Sequence, residues 1–326
     1  SVDAGVNWTD PAALNSNAAI DSGTDDRPSI RSDGTDFVVV WESDDGVAGP
    51  DFDIRVSRST DGGVTWSPAT TLNTTAGTDS ATDDHPFLAG DGAGNWVAVW
   101  ESDDSAFGGD GDILTARSAD GGETWTDPVP LHSNATTDSG LDAWPRIQTD
   151  RFGTWLATWE SNEDLGGALG ADRDILFAVS TDNGETWTDP AALNSNADTD
   201  TGDDANPDPT YDGVGNWTVV WDSADPGSSF GTDQDILFAR SIDGGTSWSA
   251  RHIIPYTNTD KDNSNYFSGV TPAGWNVDKP LRLNGKMFFA FSKLNAPFGA
   301  GSQQGEGYIY RCDNIETEGD PTALDW

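Results

Sequence analysis

Cysteine is almost absent: Cys312 stands alone in 326 residues, which excludes an internal disulfide framework and any cysteine metal cluster. Lysine is nearly as scarce, and all four, Lys261, Lys279, Lys286 and Lys293, lie beyond residue 255. Lys and Arg total 16 against 56 Asp and Glu, a formal net charge of −40. A surface this acidic repels nucleic acid and anionic membranes, so neither is expected as a partner. No apolar run approaches the ~18 residues that a membrane span requires, and membrane insertion is not expected. Helical apolar periodicity never persists over three turns. The chain opens on polar residues at Ser1 without a leader-like stretch; the expected location is outside the cell, as a secreted monomer, with any leader ahead of Ser1. The acidity suits high salt, or the binding of divalent cations.

What the chain has is repetition. Fifteen tryptophans and 37 glycines recur at regular intervals, which argues against disorder despite the charge. The segment Ser59-Thr60-Asp61-Gly62-Gly63-Val64-Thr65-Trp66 returns as Ser118 to Trp125, Ser180 to Trp187 and Ser241 to Trp248, with a variant at Ser1 to Trp8. Box tryptophans fall at 8, 66, 125, 187 and 248, so the period is 58 to 62 residues. Each period holds four strand-like pieces; in the second they are His85 to Ala89, Asn95 to Trp100, Asp112 to Arg117 and Thr124 to Leu131. They are short, β-branched or aromatic, and bounded by Gly, Asp and Asn turns. Four antiparallel strands per ~60 residues make a propeller blade.

The expected fold is therefore all-β: one domain over 1–326, a five-bladed propeller with repeats near 16–72, 73–131, 132–193, 194–254 and 255–312, and a tail at 313–326. Five inner strands begin at Pro28, Pro86, Pro145, Pro207 and Pro280. The N-terminal box lacks strands before it, and Tyr308 to Cys312 lacks a good box after it. Residues 1–15 are accordingly expected to close the last blade by pairing with 308–312, removing an open sheet edge.

Hairpin turns of a four-stranded meander alternate between its two ends. Box turns and Asp-Gly turns share one face; the 2–3 loops and the blade-to-blade connections share the other. In the first four repeats that second face holds 31 of the 56 carboxylates. Each 2–3 loop closes on an Asp-x-Asp pair: Asp51 and Asp53, Asp110 and Asp112, Asp172 and Asp174, Asp233 and Asp235. Carboxylates this close repel unless protonated, separated or bridged, and loop oxygens of this kind suit calcium. Calcium is the expected cofactor, with these eight residues as its candidate ligands; a solvated salt-tolerant surface is the alternative.

The boxes themselves read as structural. Their Asp suits an Asx-type turn, their glycines permit positive φ, and their Trp packs between strands. Subtracting the template leaves candidates for function. Twelve tryptophans occupy repeated slots, whereas Trp144, Trp275 and Trp326 do not. The residue before the inner-strand proline varies as Arg27, His85, Trp144, Asn206 and Lys279, a ring expected at the mouth of the central channel. With Trp275 these form the expected ligand site, aromatic and cationic within an acidic rim, and the expected ligand is a glycan or another extracellular surface ligand.

The S-x-D-x-G-x-T-W boxes resemble those of the sialidase (BNR-repeat) superfamily over nearly the whole chain. The resemblance implies a propeller that either binds or hydrolyses glycans. Family sialidases use three arginines for the substrate carboxylate and a tyrosine nucleophile, which carried over implies Arg27, Arg146 and Arg282 with Tyr308 or Tyr310. The family's Phe/Tyr-Arg-Ile-Pro order is not kept, since Arg27-Pro28-Ser29-Ile30 and Trp144-Pro145-Arg146-Ile147 are the nearest segments. A carboxylate-dependent glycosidase is the other enzymatic alternative, with Glu42, Glu101, Glu160 and Asp222 at the inner ends of the 2–3 loops and Glu101 as its candidate catalytic group.

Overall fold

The computed structural model describes residues 7–224, breaks at 8, 11, 16–17, 21, 35, 48, 75 and 78–79 aside, then 234–253 and the strands at 273–276, 281–283, 286–294 and 305–312. The described residues contain strands and turns and no helix. Four regular sheets follow one another. The first comprises β1 (Asp25–Ser32), β2 (Phe37–Ser43), β3 (Asp53–Ser59) and β4 (Thr70–Thr71); the second β5 (Asp83–Gly90), β6 (Trp96–Ser102), β7 (Asp112–Ser118) and β8 (Val129–Pro130). The third holds β9 (Asp142–Thr149), β10 (Trp155–Ser161), β11 (Asp174–Ser180) and β12 (Ala191–Ala192); the fourth β13 (Asp204–Tyr211), β14 (Trp217–Ser223), β15 (Asp235–Ser241) and β16 (His252–Ile253). Each is an antiparallel meander in sequence order.

A further sheet centres on β19 (Lys286–Leu294), with β20 (Gly305–Cys312) on one side and both β17 (Ala273–Asn276) and β18 (Leu281–Leu283) pairing with it as well. The closing strand expected within 1–15 and the tail at 313–326 fall largely or wholly outside the described residues.

The fourth strands are shorter than the sequence suggested, only two residues each. Pro68, Pro128 and Pro190 bring no N–H to the ladder in the first three, yet the fourth, with Ala250 and Arg251 in that stretch, is equally short. Pairing survives on either side of the break, as Thr126 N–H donates to Arg117 O at 2.9 Å and Leu131 N–H to Ile113 O at 2.8 Å.

Strand composition places the core between blades. Val38 and Val40 on β2 and Ile54 on β3 pack with Leu88, Trp96 and Trp100 of the next sheet, and the same combination recurs at the next two seams. The boxes lock the same seams at the opposite edge. A Cβ on Gly122 would stand 2.8 Å from Val38 Cγ2, and one on Gly184 2.7 Å from Val97 Cγ2, so these two box turns sit against strand two of the preceding blade. Within a box the aspartate carboxylate is saturated by its own turn. Asp182 Oδ1 accepts from Glu185 N at 3.1 Å, Thr186 N at 2.9 Å and Ser180 Oγ at 2.8 Å, while its Oδ2 accepts from Thr186 Oγ1 at 2.6 Å. These bonds outweigh the opposing effect of burial and draw the carboxyl down to about 2.

Candidate functional site

The inner strands β1, β5, β9 and β13 lie side by side, and each carries the same irregularity. Two residues, Arg27-Pro28, His85-Pro86, Trp144-Pro145 or Asn206-Pro207, oppose one tryptophan of strand two. The residue before each proline sits at positive φ: Arg27 at 47°, His85 at 52°, Trp144 at 53° and Asn206 at 55°. Such a bulge re-aims a side chain, and a non-glycine residue there stores roughly 1–3 kcal/mol of strain. The opposed Trp100 and Trp159 are completely buried; burying ~150–250 Å² each contributes roughly 4–6 kcal/mol, enough to hold the bulge in place. Four of the five residues expected at the channel mouth thus share one backbone device. Lys279 lies outside the described residues.

The first three blades bring these side chains together. Arg27, Pro28, Ser29, His85, Pro86, Phe87, Trp144 and Arg146 line one cavity of about 230 Å³. The His85 and Trp144 rings meet at 3.9 Å between centroids, inclined 49°. The guanidinium of Arg27 stands 5.9 Å over the Trp144 ring, and those of Arg31 and Arg146 stand 4.4 Å and 4.9 Å over Phe87. Burial lowers the pKa of Arg146, against the pull of Asp208 and Glu160.

Carboxylates ring this cavity with unlike partners, although Glu42, Glu101, Glu160 and Asp222 occupy equivalent slots. Arg27 Nη1 lies 2.5 Å from both Glu42 Oε1 and Asp84 Oδ1. Glu42 Oε2 accepts the N–H of His85 from the next blade at 2.9 Å, and Glu160 Oε2 accepts that of Asn206 at 3.3 Å. Burial first, then the neighbouring Asp84, pushes Glu42 up to about 8. For Asp84 burial acts upward, but the bond with Glu42, His85 and Arg27 pull its pKa down. Glu101 stands 3.3 Å from His85 Nδ1, and its buried Oε2 has no hydrogen-bond partner. Asn206 bonds Asp222 through its side chain at 2.9 Å and stays with the fourth blade, away from the cavity.

The remaining expected site residues lie on the fifth sheet: Trp275 on β17, Arg282 on β18, and Tyr308 and Tyr310 on β20 in register with Phe291 and Phe289. Their side chains lie outside the described set. Sequence reasoning missed Asp84, Ser29 and Phe87. The residue after each proline varies as Ser29, Phe87, Arg146 and Asp208, so the same subtraction applied two positions further along would have found the cavity wall.

A second arrangement lies at the outer rim of the acidic face. The carbonyl of the middle residue of each Asp-x-Asp accepts the N–H of the Asp that opens the next blade: Phe52 O from Asp83 N at 2.9 Å, Gly111 O from Asp142 N at 2.7 Å and Arg173 O from Asp204 N at 2.8 Å. Asn73, His132 and Asn194 occupy one equivalent place beside these seams. Asn73 bridges Asp53 and Asp83, and Asn194 donates to Asp174 at 2.7 Å. His132 stacks on Trp159 at 5.9 Å, with Nε2 3.0 Å from Asp142 Oδ2.

Potential ligand atoms of Asp112, His132, Asp138 and Asp142 lie within 4.8 Å of one another, as do those of Asp172, Asp174 and Asp200. Burial, reinforced by neighbouring carboxylates, pushes Asp112 up to about 8, Asp138 to about 6 and Asp174 to about 7. These buried acidic clusters have the donors to hold a metal ion. Of the residues expected as ligands, Asp110, Asp112, Asp172 and Asp174 stand at these clusters; Asp51 and Asp53 stand at the preceding seam, Asp235 opens β15, and Asp233 is outside the described residues.

The BNR/Asp-box repeat model matches residues 178–189. No curated protein sequence matches the chain. Among solved structures, an α-L-arabinanase of Penicillium chrysogenum complexed with arabinobiose shares 17% identity over 86% of this chain and 80% of its own, with a TM-score of 0.55. A GH93 α-L-arabinofuranosidase of Fusarium graminearum, also with arabinobiose, shares 16% over 93% and 96%, at 0.53. A leech intramolecular trans-sialidase complexed with 2,7-anhydro-Neu5Ac shares 13% over 99% of this chain and 63% of its own, at 0.57. At these identities the likeness establishes the fold.

Proposed function

We propose that this chain, an Asp-box protein with the fold of the sialidase-like propellers, binds a glycan at the channel mouth and works outside the cell. The observation that carries the reading is the convergence of His85, Trp144, Arg27 and Arg146 on one cavity of about 230 Å³. Its volume falls below the ~300–1,000 Å³ of drug-sized sites, so it would take a small unit such as a terminal sugar. Flat aromatic surfaces accept the apolar face of a sugar, and the arginines supply paired donors for hydroxyls or a carboxylate. Two proteins with this fold are solved with arabinobiose, which supports a sugar as the class of ligand. Calcium belongs to the same reading, as the ion held by the acidic clusters of that face.

Trp144→Ala should weaken glycan binding at least tenfold in a glycan array followed by calorimetry, with the melting temperature unchanged. Unchanged affinity for every ligand that the wild type binds would place the site elsewhere.

Hydrolysis is the second reading, favoured by the carboxyls of Glu42, Asp84 and Glu101 gathered about His85. Glu101, beside His85 and lacking a hydrogen-bond partner on Oε2, is the carboxyl closest to the aromatic pair. Turnover of an aryl arabinofuranoside or a fluorogenic sialoside, abolished by Glu101→Gln, would establish it. Loss on Tyr308→Phe or Tyr310→Phe would instead point to the tyrosine nucleophile.

A further inference from the structure

We infer that calcium ions bolt neighbouring blades together at the second and third seams, so that the ring is held by metal on one face and by the boxes on the other. This rests on the calcium part of the proposed reading and is independent of the glycan site.

The ligand set at the second seam comes from three consecutive pieces of chain. Asp110 and Asp112 end the 2–3 loop of one blade, Ala135 and Asp138 lie in the connection, and Asp142 opens the next blade. Asp112 is 1% exposed, and neither of its carboxylate oxygens has a hydrogen-bond donor. Oδ2 of Asp110, Oδ1 of Asp138 and Oδ1 of Asp142 are likewise buried without a donor. Burying carboxylates in that state is costly, and a cation removes the cost for all of them together.

Gly108 shows where the oxygens point. A Cβ there would stand 2.5 Å from Asp110 Oδ1, 2.8 Å from Ala135 O and 3.5 Å from Asp112 Oδ2, so only glycine leaves this cradle open. Two carboxylates and a main-chain carbonyl around one small space form a hard-oxygen donor set. The geometry recurs. Gly170 would crowd Asp172 Oδ1, just as Gly49 would crowd Asp51 Oδ1, with Ala76 O also facing it at 3.4 Å. The third seam adds Asp174 and Asp200 to Asp172, and Asp172 Oδ2 is buried without a donor.

His132 separates the two clusters chemically. It stands where Asn73 and Asn194 stand, and its nearest carboxylate contact is Asp142. We assign it the positioning task that those asparagines perform, leaving the ion to oxygen. A borderline metal bound through the imidazole is the competing outcome.

The test uses the full chain, stripped with EDTA, dialysed, and titrated with calcium alone by calorimetry, with metal content read by mass spectrometry. We expect at least two ions per chain. Asp112→Asn should remove one and leave the other, Asp174→Asn should do the converse, and Gly108→Ala should weaken the first at least tenfold. Hydrogen exchange should show 108–112 and 138–142 protected by calcium together, because the ion spans the seam. No bound calcium in the wild type would overturn the calcium reading itself. Calcium retained at full stoichiometry in both Asp→Asn variants would overturn the seam assignment alone. Selective uptake of zinc or manganese, lost on His132→Asn, would overturn the identity of the ion.

Discussion

The two ends of the regular blades treat the same side chain in opposite ways. On the box face, Asp182 accepts four hydrogen bonds from its own turn and titrates near 2. On the acidic face, Asp112 is buried without a donor and is pushed up to about 8. Both residues belong to motifs repeated in every regular blade, so repetition does not separate a finished structure from a functional one. Hydrogen-bond completion does. A carboxylate satisfied by its own chain supports the fold without help, whereas one left bare in the interior is built for a partner from outside.

The sharpest way to break the self-sufficient face is steric. Gly184→Ala puts a methyl 2.7 Å from Val97 Cγ2 at a backbone φ of 77°. Overpacking and the left-handed backbone together should cost roughly 2–4 kcal/mol, measured by urea denaturation. The loss should be equal in calcium and in EDTA, because no cation acts at that edge. A loss present only in EDTA would show the faces to be coupled.

A milder change isolates hydrogen bonding on the same face. Ser180 is 1% exposed; its hydroxyl donates to Asp182 Oδ1 and accepts from Gly184 N at 2.9 Å. Ser180→Ala leaves the Gly184 N–H without a partner and the carboxylate one donor short, costing about 1–2 kcal/mol. Acid denaturation should also begin at a higher pH, since Asp182 loses a bond that favours its ionised form. An unchanged acid midpoint would mean that the Thr186 and Glu185 donors suffice alone.

The architecture was legible because the box, the Asp-Gly turn and the Trp-bounded strands repeat as units, and repetition fixes strand order without any contact information. The fourth strands were overread: each joins the ladder over two residues only, with or without a proline before it. Half the cavity lining was legible: subtracting the template gives Arg27, His85 and Trp144, while Arg146 enters only through the family resemblance. The bulge that aims them was not, because positive φ before proline runs against local preference and is imposed by packing against the opposed tryptophan. The seam clusters were half legible. The Asp-x-Asp pairs stand out in the sequence, but Asp138, Asp142 and the Ala135 carbonyl join them only when the next blade docks.

The channel mouth offers a third treatment of a carboxylate, and pH tests it with the smallest change to the molecule. Glu42 is buried, where burial and then Asp84 favour its protonated form against the pull of the His85 N–H at 2.9 Å and of Arg27 at 2.5 Å. Its folded pKa of about 8 lies above the ordinary glutamate value of 4.5, so between those values the folded chain binds a proton that the unfolded chain has released. The stabilisation is therefore complete below pH 4.5 and is lost as pH rises through about 8. Glu42→Gln keeps a carbonyl oxygen for His85 and removes the titration. Urea melts at pH 5, 7 and 9 should show the wild type losing about 1 kcal/mol more than the variant over that range, a fraction of the full linkage because Arg27 and Asp84 share the response. Parallel curves for the two proteins would move the titration to another group, while leaving the aromatic and arginine lining of the cavity as a binding site.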